Sequence, residues 1–179
     1  MMKVKILPFT LAVAYLCALP ACGLPSSQEG GSIMQALPNV EYPIDVASTG
    51  KAQLEDGVFE EAAAPGSATK TRISLGKEQT AGDLNGDGAK DAAVTLVADP
   101  GGSGTFTYLA AVVNQDGVAR PIASVFLGDR IVVKSLAVQS GEIVVTLLTR
   151  KPDEPMAAEP MVEVTRKFRL QGDELVETE

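Results

Sequence analysis

Between residues 162 and 170 the chain alternates. Val162, Val164, Phe168 and Leu170 fall on one side of an extended backbone, and Glu163, Thr165, Lys167 and Arg169 on the other. Successive strand side chains point to opposite faces, so this is the pattern of a half-buried strand. Residues 71–75 alternate in the same way, with Ile73 and Leu75 together. The apolar runs at 91–98 and 106–114, and the β-branched runs at 131–139 and 142–149, read as strands too. As continuous Val-rich runs they are expected to be buried on both faces. Turn residues punctuate the pattern: Glu55-Asp56-Gly57, Asp99 to Gly104, Asn114 to Gly117, Gly128-Asp129 and Ser140-Gly141. The last is a two-residue hairpin signal. No stretch from 42 to 179 keeps a helical period, and the Ala-rich segment 62–68 is interrupted by Pro65-Gly66. Short connections favour antiparallel pairing. The expectation is an all-β fold of about eight or nine strands, mostly antiparallel, as a sandwich or a barrel. The absence of an internal repeat disfavours a propeller.

The first residues carry a different pattern. Lys3 and Lys5 precede an uncharged run from Ile6 to Pro20, the layout of a secretory signal. The run is too short for a comfortable transmembrane helix, which needs about 20 residues. It ends in Leu19-Pro20-Ala21-Cys22-Gly23, which resembles the bacterial lipobox, with Pro20 as a departure from its usual pattern. The resemblance implies lipidation of Cys22, removal of residues 1–21 and a membrane anchor in the cell envelope. With Gly rather than Asp after the Cys, it favours the periplasmic side of the outer membrane in a host with two membranes. Residues 22–40, rich in Gly, Ser and Pro, read as a flexible tether, with Ile33, Met34 and Leu37 the residues best suited to pack if it does not swing free. A free tether of that length reaches roughly 25 Å. Residues 41–179 form the working domain.

Composition narrows the chemistry. Basic residues number 15 and acidic residues 23, a net charge of −8. Losing Lys3 and Lys5 with the leader takes this to −10. Such a surface repels phosphate backbones, so no nucleic acid partner is expected, and its sign suits a cation. There is no His, and the two cysteines are Cys17, in the leader, and Cys22. A Ser-His-Asp triad and a His/Cys zinc site are thereby excluded, and the mature chain keeps no free thiol. Trp is absent and aromatic residues are 4% of the chain, too few for broad stacking platforms.

One loop carries chemistry. Residues 83–91 read Asp83-Leu84-Asn85-Gly86-Asp87-Gly88-Ala89-Lys90-Asp91. Oxygen donors stand at loop positions 1, 3, 5 and 9, with Gly at position 6, as in the first nine positions of an EF-hand loop. Calcium takes six to eight hard oxygens, and a chain supplies them by curling tightly around the ion. The candidate metal ligands are the side chains of Asp83, Asn85, Asp87 and Asp91 and the carbonyl of Ala89. The bidentate Glu is missing, because position 12 is Val94, and a strand follows where an EF-hand has a helix. The loop therefore resembles the Asp-x-Asn-x-Asp-Gly-x-x-Asp calcium loops of integrin-type and dockerin-type repeats, here in a single copy. Asn85-Gly86 and Asp87-Gly88 are also ordinary turn dipeptides. The wider stretch from Gly82-Asp83 to Phe106-Thr107-Tyr108-Leu109 is similar to an envelope domain of uncharacterised bacterial lipoproteins.

Other signals read as structural. Gly101-Gly102-Ser103-Gly104 lacks the following Lys-Ser/Thr and helix of a phosphate cradle. Glu60-Glu61 and Asp153-Glu154 are neighbours in sequence and do not converge on one substrate. The three-proline excursion 150–160 reads either as a recognition loop or as a protected crossing between strands. The expected function is that of a non-enzymatic envelope lipoprotein, a binding or structural β-domain stabilised by one calcium ion. The alternatives are an inhibitor or accessory subunit of an exported enzyme, and a glycan hydrolase built on two carboxylates.

Overall fold

The computed structural model describes residues 29–179, with side chains described from Ile33 onward. The signal segment, Cys22 and the start of the tether lie outside the described residues. A short helix α1 (Glu29–Ala36) and a 3-10 turn (Leu37–Asn39) lead into strands β1 (Glu41–Pro43), β2 (Lys51–Gln53), β3 (Val58–Ala62), β4 (Lys70–Gly82), β5 (Asp91–Asp99), β6 (Phe106–Gln115), β7 (Val118–Asp129), β8 (Val132–Gln139), β9 (Glu142–Thr149), β10 (Val162–Gln171) and β11 (Glu174–Thr178). The fold is all-β, as expected, with two or three more strands than the sequence suggested. β1 and β2 form a ribbon, β3-β4-β5-β6-β7 a five-stranded sheet and β11-β10-β9-β8 a four-stranded sheet. Every pairing is antiparallel.

The five-stranded sheet is the middle layer. Residues 92, 94, 96 and 98 of β5 and 108, 110 and 112 of β6 face a core that includes Ile33, Leu37, Tyr42, Ile44 and Leu54. Ala93, Leu109 and Ala111 face a second core with Ile143, Val145, Leu147 and Phe168 of the other sheet. This is why β5 and β6 are apolar without alternation: both faces are covered. The same expectation fails for β8 and β9. Ile143, Val145 and Leu147 point inward, while Val144, Thr146 and Leu148 are only part-buried, because the four-stranded sheet forms the outermost layer on that side. At the end of β4 the two sheets nearly touch. A Cβ on Gly82 would lie 2.6 Å from Cβ of Val138, so only glycine lets β4 pass over β8.

The hairpin turns follow their sequences. Asp56-Gly57, Asp116-Gly117 and Ser140-Gly141 all have positive φ at both residues, the type I′ geometry that fits the twist of paired strands. Along β10, Val162, Val164 and Leu170 are part-buried and Phe168 is fully buried, with their neighbours exposed. Arg166 shares the inward parity. Its guanidinium lies 4.9 Å from the Phe168 ring centroid and holds the Glu177 carboxylate with two hydrogen bonds, at 2.7 and 2.8 Å.

Residues 33–40 do not behave as the tether expected over residues 22–40. From Ile33 on, the chain packs on the domain: Ile33 and Leu37 are buried in the first core, and Tyr42 donates its hydroxyl to the Leu37 carbonyl at 2.9 Å. Eight residues of helix have little stability in isolation. Burial of two aliphatic side chains is what holds this turn in place.

Candidate functional site

Residues 83–90 connect β4 to β5, and both flanking strands are anchored in the middle sheet. Within the loop, the carboxylate of Asp83 accepts from the amide of Gly86 at 2.7 Å and from that of Gly88 at 3.0 Å. Asn85 accepts from the amide of Asp87 at 2.9 Å and donates its side-chain NH2 to Asp87 Oδ2 at 2.8 Å. Asp87 Oδ1 accepts from the amide of Ala89 at 2.7 Å. The backbone thus curls around its own side chains. Gly86 and Gly88 both have positive φ, which a side-chain-bearing residue adopts only at a cost.

Asp91 stands apart. It is fully buried, and its two oxygens accept from the backbone amides of Leu84 and Asn114, each at 2.8 Å. The carboxylate therefore locks the start of the loop to the end of β6. Loop spacing made Asp91 a ligand candidate; its link to Asn114, a residue on another strand, was invisible in the sequence.

Asp83, Asn85 and Asp87 lie in one curled segment, and Asp91 closes it from beneath. Among the described residues no group of three or more carboxylates converges as metal ligands normally do. Asp91 directs both oxygens at amides, and Asn85 turns its NH2 toward Asp87. An ion at this position would take oxygen from Asp83, from Asp87, from Asn85 after that NH2 contact breaks, and from the Ala89 carbonyl. Asp91 would act through the loop position it fixes. Each carboxylate has about four lone-pair sites, so an amide contact on an oxygen does not prevent ligation. The donor set is all oxygen, which suits calcium or magnesium and not zinc.

An open groove of about 690 Å³ adjoins the loop. Asn85, Asp87 and Ala89 form one wall, and the β6–β7 and β10–β11 turns form others. No sequence feature pointed to this groove, because its walls are far apart in the chain.

Of the neighbouring carboxylates, Glu60, Glu61 and Glu154 have structural partners. Glu60 holds Lys70 and Arg72, each at 2.7 Å. The hydrogen bond from Lys70, and then that from Arg72, keep its carboxyl below the usual range, the opposite of what a proton donor needs. Glu61 accepts from the backbone amide of Ser48 at 2.7 Å and from its hydroxyl. Glu154 caps the amide of Lys151 at 3.0 Å. The proline-rich excursion is strapped down by two arginines: Arg130 donates to the carbonyls of Met156 and Ser103, and Arg150 to those of Ala158 and Asp129. Met156 and Met161 remain exposed on it.

No family model, no curated protein and no solved structure matches the chain.

Proposed function

We propose that the chain is a lipid-anchored protein of the bacterial cell envelope, held by Cys22. Its β-domain is a non-enzymatic binding or structural module that takes one calcium ion in the loop 83–91. The observation that carries the ion is the closed form of that loop. Asp83 gathers the amides of Gly86 and Gly88, so oxygen donors at 83, 85 and 87 are held on one tight bend. Asp83 and Asp87 put two carboxylates on that bend, and a divalent cation relieves their repulsion. The role of the ion is to fix the start of β5, a strand buried on both faces. Calcium fits the bend better than magnesium, which demands near-octahedral geometry and gives up its water reluctantly. The lipobox-like Leu19-Pro20-Ala21-Cys22 supports the anchor. No helix among the described residues is long and apolar enough to cross a bilayer.

Calorimetric titration of the full chain in detergent micelles tests the ion. Calcium is expected to bind with Kd on the order of 10⁻⁴ to 10⁻³ M, as in extracellular modules, with Asp83→Ala and Asp87→Ala abolishing the heat. Silence from the wild type rules the ion out. Cys22→Ser is expected to release the chain from the membrane fraction, and a variant that stays there contradicts the anchor.

A further inference from the structure

The groove beside the loop holds charges that the calcium reading does not use. Asp116 stands on the β6–β7 turn and Asp173 on the β10–β11 turn, and both line the groove with Arg120 of β7. None of the three has an ion-pair partner among the described residues. Val113, Ile122 and Leu170 supply an aliphatic surface between them.

Asn114 is the second, independent observation. It lines the same groove yet is only 6% exposed. Its Oδ1 accepts from the amide of Gly117 at 2.8 Å, which fixes the orientation of the side-chain amide. Its NH2 has no hydrogen-bond partner among the described residues, and no unpartnered side-chain nitrogen is fully enclosed. The NH2 therefore keeps some contact with solvent, in a residue that lines the groove. Water satisfies such a donor in the free protein, and the carbonyl of a ligand can take the place of that water.

We propose that this groove docks an extended segment of a partner protein that carries a Lys or Arg side chain. A backbone carbonyl of the segment accepts from Asn114. The cationic head sits between Asp116 and Asp173, and its methylene stem lies along Val113, Ile122 and Leu170, since long basic side chains pack their stems on apolar surface. Arg120 disfavours a run of consecutive basic residues and selects a spaced one. No aromatic ring lines the groove, so it lacks the stacking face that a sugar would use. The site goes beyond the calcium reading and does not require it. It shares only the wall formed by Asn85, Asp87 and Ala89, where a bound calcium ion would lower the local negative charge and weaken the peptide.

Fluorescence anisotropy with the full chain in neutral detergent micelles and chelator tests the proposal. The probe is a labelled, end-capped peptide of alternating Lys and Val. Asp116→Asn with Asp173→Asn is expected to weaken binding roughly three- to tenfold, the scale of two exposed ion pairs. Asn suits the positive φ of residue 116, so that turn is preserved. Asp153→Asn with Glu159→Gln removes the same charge from the excursion and leaves affinity unchanged. Asn114→Asp adds a negative charge but removes the donor, and it too weakens binding. Equal loss in both double variants would reduce the effect to bulk charge and overturn the proposal. So would tighter binding by folded Asn114→Asp, or spermidine displacing the peptide at equal concentration. Because the assay excludes calcium, its failure leaves the ion titration untouched, and the reverse also holds.

Discussion

Asp91→Ala isolates the buried carboxylate from any metal. In chelator, the carboxylate makes two charge-assisted hydrogen bonds, from Leu84 and Asn114, in a position with no solvent exposure. Hydrogen bonds to charged groups contribute about 1.5–3 kcal/mol each. Their loss leaves two amides without an acceptor, and the relief of desolvating the carboxylate offsets part of the total. The expected net destabilisation is about 3 kcal/mol, a large share of the roughly 5–15 kcal/mol that holds a domain together. For a chain of this size that lowers Tm by roughly 6–12 °C. The exposed Asp87, whose contacts stay within the loop, gives under about 1 kcal/mol on the same change. Urea unfolding of wild type and both variants in chelator measures the difference. If Asp91→Ala costs less than about 1 kcal/mol, or no more than Asp87→Ala, the lock between the loop and β6 does not exist.

Two further outcomes are expected. Leu37→Ala empties a fully buried site in the first core and should cost about 2–5 kcal/mol in urea unfolding, whereas a chain whose residues 33–40 swing free would not register it. The hydrogen bond from Arg166 holds the Glu177 carboxyl below the usual carboxylate range. A depressed folded pKa gives stability that is complete above the unfolded value and is lost as pH falls through the folded one. Wild type should therefore lose more stability than Glu177→Gln as pH drops below about 4.5, seen as converging unfolding midpoints, and parallel curves would contradict the pair.

The fold was legible where local chemistry and tertiary context agree. Asp116-Gly117 and Ser140-Gly141 make the turns their sequences imply, and the alternation of Val162, Val164, Phe168 and Leu170 is the burial pattern of β10. It was illegible where context overrides. Nothing in Glu-Gly-Gly-Ser-Ile-Met-Gln-Ala marks a packed helix, because its order comes from the cavity that Ile33 fills. β11 was missed although Gly172-Asp173 is a two-residue turn, since Glu174 to Thr178 is short and mostly exposed at a sheet edge. For the loop, spacing pointed to Asp83, Asn85, Asp87 and Asp91, but only the chain path shows that Asp91 serves β6. The groove at Asn114, Asp116 and Asp173 joins turns that are neighbours in space alone.

On the proposed reading, one divalent ion steadies the start of β5. Differential scanning calorimetry of the full chain in detergent micelles, with 10 mM calcium, 10 mM magnesium or chelator, tests this. A Kd of about 10⁻⁴ to 10⁻³ M implies roughly 1.4–2.7 kcal/mol of added stability at that concentration. Calcium should therefore raise Tm by roughly 3–10 °C, magnesium far less, and Asp87→Ala should erase the difference. Identical melting of the wild type in all three solutions contradicts the claim.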